Sequence, residues 1–225
     1  MNFLFNGSTI ELEVLMAFET VISLSRQFGS GGRAIGHLIA DKLEIPYYDS
    51  ALINLAAEKS GMSKQVLENL DEKAGNRFLY TVPSTLPNIG SHPSTSIYNM
   101  PLSDKLFLTE YEIIKKIAQE GAALIVGRCA DYILKEMKNH VAVFIHAPED
   151  FRAERVAEYE NISVEKAKSE LSKYDRQRRK YHDYYAAGTW GEATYYDLTI
   201  NSATLGLEGT AEFISQFVLD FNKKL

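Results

Sequence analysis

The sequence predicts a doubly wound α/β fold around a parallel sheet. Three observations predict it: five short apolar runs rich in β-branched and aromatic residues, helical patterns between them, and long connections from one run to the next. The runs are ETVISLS (19–25), IPYYD (45–49), AALIVG (122–127), HVAVFIH (140–146) and YYDLTIN (195–201). Nearly continuous apolar character marks strands buried on both faces, and parallel neighbours need crossovers of a dozen or more residues. Helical periodicity fills the intervals at 34–43, 51–58, 63–73, 104–120, 130–138, 149–159, 164–185 and 207–222.

In chain order, residues 1–15 read as an N-terminal extension, an added strand or a disordered appendage, with Met16 a candidate start. Residues 16–225 then form one domain. Its core comprises 19–49, 104–160 and 195–225. Two interruptions break the alternation. Segment 50–103 is too long for a simple crossover and holds four of the six prolines, Pro83, Pro87, Pro93 and Pro101. Long structureless stretches inside a compact domain are either functional or disordered. Segment 160–194 carries a long amphipathic helix followed by DYYAAGTWGEATYY.

Composition narrows the function. The chain has 225 residues, 24 Lys+Arg against 30 Asp+Glu and a net charge of −6, which argues against a general nucleic-acid or membrane-surface binder. No apolar run approaches the roughly 20 residues of a membrane span. The apolar start lacks a basic n-region and contains Glu11 and Glu13, unlike a signal peptide. The lone Cys129 forms no internal disulfide, so a reducing, cytoplasmic compartment is expected.

Ligands of open parallel sheets bind beyond the carboxyl ends of the strands. After the first run comes SRQFGSGGRAIG (25–36), a glycine-rich turn opening a helix, where converging N–H groups and a positive helix end suit an anion. Asp49 follows the second run, Gly127-Arg128 the third, and Arg152 and Arg155 the fourth. Of nine arginines only Arg77 lies away from this edge or the long helix. A guanidinium fork matches phosphate oxygens, so arginines gathered on one edge of an acidic protein point to a polyphosphate ligand.

Each signal also has a plainer reading. Asp49 is a good cap for a helix beginning near Ala51. Arg152 and Arg155 have Glu149, Asp150 and Glu158 at helical spacing. Lys173, Arg176, Arg179 and Lys180 read as a solvated face, whereas Arg178, with Asp175 one turn before it, falls on the inward stripe of its helix. The five histidines show no ligand spacing, and Cys129 reads as an inert small core residue.

Taken together, ISLSRQFGSGGRAIGHLIADKLEIPYYD, LIVGR, FIHAPEDFRAERV, YDRQRRKYHDYY and YDLTINSATLGLEGTAEFI resemble the cytidylate kinase-like proteins, a branch of the P-loop nucleoside monophosphate kinases, over about 19–220. The resemblance implies a three-layer P-loop NTPase fold, a five-stranded parallel sheet with helices on both faces, an acceptor-binding insert at 50–103 and a helical lid at 160–194. It implies ATP or another triphosphate as donor, Mg²⁺, and a small phosphate acceptor, CMP or dCMP first. The donor site would comprise Arg26, Gly29, Ser30, Gly31, Gly32, Arg33 and Ala34. Asp49, Arg128, Arg152 and Arg178 would bind the acceptor, and Arg33, Arg128, Arg155, Asp175 and Arg178 would serve transfer. Asn201 to Leu205 would lie near the donor base.

The departures are specific. The family loop Gly-x-x-x-x-Gly-Lys-x-Thr puts Arg26 at the first Gly, Gly32 at the Lys and Ala34 at the Thr. Arg33 or Arg26 is therefore expected to supply the missing charge, and Ser30 or Asp49 to help hold Mg²⁺. The lid pattern Arg-Asp-x-x-Asp-x-x-Arg keeps only Asp175 and Arg178, with Leu171 and Ser172 in place of the first pair. Two alternatives follow: a small-metabolite kinase, because Asp49 resembles the acceptor-orienting position of shikimate-type kinases, and a catalytically weak nucleotide-binding regulator. An oligomer contact or acceptor cover is a further role for Tyr80, Ile89 and Tyr98.

Overall fold

A computed structural model describes residues 18–49 and 101–225. The extension 1–15, the helical patterns 51–58 and 63–73, Arg77, and the insert as far as residue 100, with Tyr80, Ile89 and Tyr98, lie outside the described residues. The elements are β1 (Val21–Arg26), α1 (Gly32–Leu43), β2 (Tyr47–Tyr48), α2 (Leu102–Glu120), β3 (Ala123–Val126), α3 (Ala130–Ile133), β4 (His140–His146), α4 (Glu149–Glu160), α5 (Val164–Tyr185), β5 (Leu198–Asn201) and α6 (Ser202–Asn222). A 3₁₀ turn at Ala193–Tyr195 precedes β5.

The sheet has five strands in the order β2-β3-β1-β4-β5, and every pairing is parallel. Val21 sits opposite Ala123 on one side and His140 on the other, so β1 is central. Strand side chains alternate between two apolar layers, as the two-residue period requires. Ile22, Leu24, Leu124 and Val126 pack with Ile35 and Ile39 of α1 and Ile214 and Val218 of α6. Val21 and Ile125 pack on the opposite face with Ile114 and Ile117 of α2 and Ile133 of α3. Asn222 closes the ends of the domain, its Oδ1 accepting from Glu19 N at 3.0 Å and Thr20 Oγ1 at 2.8 Å.

Element bounds differ from the sequence pattern for local reasons. The helix expected at 130–138 stops at Ile133, because the chain turns through Leu134 and Met137 to bring Asn139 O to Val21 N at 2.8 Å. The last strand starts at Leu198 rather than at 195. Asp197 takes both backbone groups of Ala142, its N donating to Ala142 O at 2.9 Å and its Oδ2 accepting from Ala142 N at 2.8 Å. The last helix starts at Ser202, earlier than 207, with the Asn201 side chain accepting from Ala203 N and a kink at Gly206, φ 70°.

Candidate active site

The glycine turn between β1 and α1 is built from two left-handed residues, Gly29 at φ 78° and Gly31 at φ 80°. A side chain at Gly29 would lie 2.8 Å from Arg152 O, so glycine is needed there for space as well as conformation. Ser30 is fully buried; its Oγ donates to Gln27 O at 2.8 Å, and its own carbonyl accepts from Ser202 Oγ at 2.6 Å. Gln27 fastens the turn to β4, its N donating to Ile145 O at 2.9 Å and its Oε1 accepting from Ala147 N at 3.1 Å. Gly31 caps α1 without a side-chain hydrogen bond, leaving the positive end of the helix to the cleft.

A second layer grips the turn from α4 and α5. Arg152, 8% exposed, donates from Nε to Ala147 O at 3.0 Å and from Nη1 to Phe28 O at 3.0 Å, and pairs with Asp175 Oδ2 at 2.6 Å. The other Asp175 oxygen accepts from Phe28 N at 2.7 Å. Phe28 is thus held through both backbone groups, and its ring packs against Tyr174 with centroids 4.3 Å apart and planes tilted by 35°.

Above the turn, Arg178 donates from Nη1 to Arg26 O at 3.0 Å, with its guanidinium 5.5 Å from the Phe28 ring centre. Burial, reinforced by the Arg26 charge, pushes the Arg178 pKa down to about 9. Burial lowers that of Arg26 too, against a partial offset from Asp49. Two desolvated cations side by side are costly unless an anion joins them, and that electrostatic deficit is what a phosphate relieves. Arg33, its side chain 68% exposed, pairs with Asp49 at 3.1 Å, and Asp49 also accepts from Tyr47 OH at 3.4 Å. Burial raises the Tyr47 hydroxyl to about 12, so it remains protonated.

These groups surround one cleft of about 630 Å³. Its wall brings together Arg26, Gly29, Gly31, Gly32, Arg33, Ala34, Asp49, Arg155 and Arg178. Arg155 adds a buried Nε that has no hydrogen-bond partner among the described residues. Ser30, Arg128, Arg152 and Asp175 are not on this wall. Arg128 lies beside it, with Nε 3.5 Å from Glu110 Oε1; Glu110 Oε2 accepts from Tyr181 OH at 2.7 Å. Gly127, Arg128 and Cys129 all have positive φ, at 75°, 57° and 55°. Two non-glycine residues in that region mark a bend held against its local cost.

His37 and Tyr159 also line the cleft and were absent from the sequence-level site. Both sit four residues after a predicted arginine, Arg33 and Arg155, so helical periodicity carried the signal. The residues present fit a triphosphate, since several guanidinium groups and a glycine turn face the same space. For Mg²⁺, no group of three or more His, Cys, Asp or Glu is found among the described residues. Asp49 is a carboxylate on the wall, which suits an ion that takes one or two carboxylates plus substrate phosphates. The Ser30 hydroxyl faces Gln27 instead.

The model of the cytidylate kinase-like family matches residues 21–204. The chain belongs to the cytidylate kinase-like family. A cytidylate kinase of Pyrococcus horikoshii is 37% identical over 93 residues, 41% of this chain and 47% of the relative, so that match spans about half the relative's length. One of Staphylothermus marinus is 25% identical over 209 residues, 91% of this chain and 99% of the relative. Among solved structures, an uncharacterized protein from Eubacterium ventriosum aligns with a TM-score of 0.64 at 22% identity, covering 89% of this chain and 98% of that one. A shikimate kinase from Bacteroides thetaiotaomicron aligns at 0.52 and 13% identity, covering 89% and 98%. These likenesses establish the P-loop kinase fold, the sheet and flanking helices described above. Among the described residues, no helix is long and apolar enough to cross a membrane.

Proposed function

We propose that this family member is a nucleotide-dependent kinase that moves the γ-phosphate of ATP to a small acceptor, CMP or dCMP first. The observation that carries the reading is the half-buried Arg26–Arg178 pair, which lines one cleft with the glycine turn. The relatives' printed name, cytidylate kinase, supports the nucleotide acceptor. Segment 50–103 would form the acceptor insert and 160–194 the lid.

Phosphoryl transfer asks the protein to position two substrates and to neutralise charge on the transferring group. The turn at Gly29–Gly31 and the open end of α1 offer N–H groups to the donor phosphates. Arg178 and Arg155 face the same space from α5 and α4, where they would balance negative charge and exclude water. Arg152 and Asp175 hold the turn in shape through Phe28. Arg128, oriented by Glu110, lies at the end of β3, where an acceptor phosphate would approach. Asp49, a carboxylate on the cleft wall, would help hold Mg²⁺, which would supply positive charge against the donor phosphates.

Asp49 favours one second reading, transfer to an alcohol. A carboxylate can accept a hydroxyl proton, and Asp49 lines the cleft beside the glycine turn. ADP release with Mg²⁺-ATP against nucleoside monophosphates and small polyols separates the two. Stimulation by CMP or dCMP above the water rate supports the nucleotide reading, and stimulation by a hydroxylated metabolite alone supports the other. Triphosphate binding with no stimulation by any acceptor turns the assignment toward a binding protein.

A further inference from the structure

Where the family loop carries its phosphate lysine this chain has Gly32, and the space around Gly32 is already taken. A side chain there would place its Cβ 2.7 Å from Arg26 Cβ and 2.8 Å from Arg26 Cγ. At Gly127, φ 75°, a Cβ would lie 2.5 Å from Arg26 Nη1. One glycine lies against the stem of this arginine and another against its head. We propose that Arg26 grips the donor's terminal phosphates in place of the absent lysine, reaching them from the end of β1 rather than from α1. The proposal rests on the kinase reading above.

The neighbouring candidate, Arg33, is turned to the rim, 68% exposed and paired with Asp49. Arg26 instead lines the cleft, and no hydrogen bond or ion pair within the described residues engages its guanidinium. Its backbone is fixed from two sides, by the pairing of β1 with β4 and by the hydrogen bond from Arg178 to its carbonyl. The exchange has a chemical consequence. A lysine ammonium is a point charge, whereas a guanidinium offers a planar fork able to take two phosphate oxygens at once. Lysine at 32 and arginine at 26 exclude each other sterically, so the replacement is a relocation of charge within one turn.

Calorimetric titration with Mg²⁺-ATPγS tests this on the full chain, with melting curves to confirm folding. Arg26→Ala is expected to weaken ATPγS binding at least tenfold, and to weaken inorganic tripolyphosphate, which has no base, by a similar factor. If Arg26→Ala does not fold, Arg26→Gln, which keeps the stem between the two glycines and drops the charge, is read with the same outcomes. The double variant Arg26→Gly/Gly32→Lys, which removes the Cβ that a side chain at 32 would meet, is expected to regain at least threefold over Arg26→Ala. Binding by the alanine or glutamine variant within twofold of wild type overturns the proposal and leaves the kinase reading standing. A double variant no tighter than the single one contradicts the relocation. Absence of triphosphate binding by the wild type overturns both.

Discussion

Gly29 and Asp175 show how few side chains hold the glycine turn. Gly29 is left-handed and its missing Cβ would press on Arg152 O at 2.8 Å, so Gly29→Ala combines backbone strain with a steric clash. We expect a loss of about 2 kcal/mol in urea denaturation, together with weaker triphosphate binding. Asp175→Asn keeps an acceptor for Phe28 N but removes the charge that answers Arg152, a pair whose side chains are 10% and 17% exposed. About 2 kcal/mol of stability should be lost, with KM for ATP rising more than kcat falls, as befits a positioning residue seen in steady-state kinetics. At this scale the sequence was partly legible. The glycines and arginines pointed to an anion ligand, and the structure gathers Arg26, Arg33, Arg155 and Arg178 with the glycine turn around one cleft. Arg178 was legible as inward from its helical stripe, with Arg176 and Arg179 exposed; what stayed hidden was that Arg152 ties down a loop while Arg178 faces the cleft, a difference set by tertiary packing of α4 on α5.

The element that joins the turn to the rest of the molecule is α5. Ser163 caps its start, its Oγ accepting from Lys166 N at 3.2 Å, and Ala167 and Leu171 pack against Ala153 and Val156 of α4. Farther along, Asp175 and Arg178 engage the turn, Tyr181 engages Glu110, His182 Nε2 meets Asp131 Oδ2 at 2.6 Å and Tyr185 OH donates to Asp104 at 3.0 Å. Burial opposes charge on His182, but its bond with Asp131 and the nearby Asp183 prevail and raise its pKa. A raised folded value means that the pair contributes fully below the unfolded histidine range near 6.5 and is lost as pH rises through the folded pKa. His140 works oppositely: burial beside Ser23 lowers it to about 4, so its neutral form favours folding and that contribution fades as pH falls below about 6.5. In denaturation midpoints from pH 5.5 to 9, the advantage of wild type over His182→Gln should therefore shrink with rising pH; an advantage constant across the range would remove His182 from this role. The 3.6-residue spacing marked α5, and Ala167, Leu171 and Tyr185 of its inward stripe are buried. The anchors at Asp131 and Glu110 were not legible, because they come from segments 51 and 71 residues away in the chain.

Across the whole molecule, a net charge of −6 coexists with a cleft lined by Arg26, Arg33, Arg155 and Arg178. Sheet order made this arrangement: β1 lies between β3 and β4, so the turn after β1, Arg128 after β3 and α4 after β4 meet on one edge. That edge was legible from five apolar runs and their long crossovers, since parallel strands place all their carboxyl ends on one side. The order of the strands was not, because periodicity carries no information about neighbours. If the cleft takes a triphosphate, it does so by the phosphates. Calorimetric titration of the full chain with Mg²⁺-ATPγS and with adenosine, each at low and high salt, tests it most directly. ATPγS should bind far tighter than adenosine, and more weakly as salt rises because opposite charges are screened. Equal affinity for the two, or no binding of ATPγS, would contradict it.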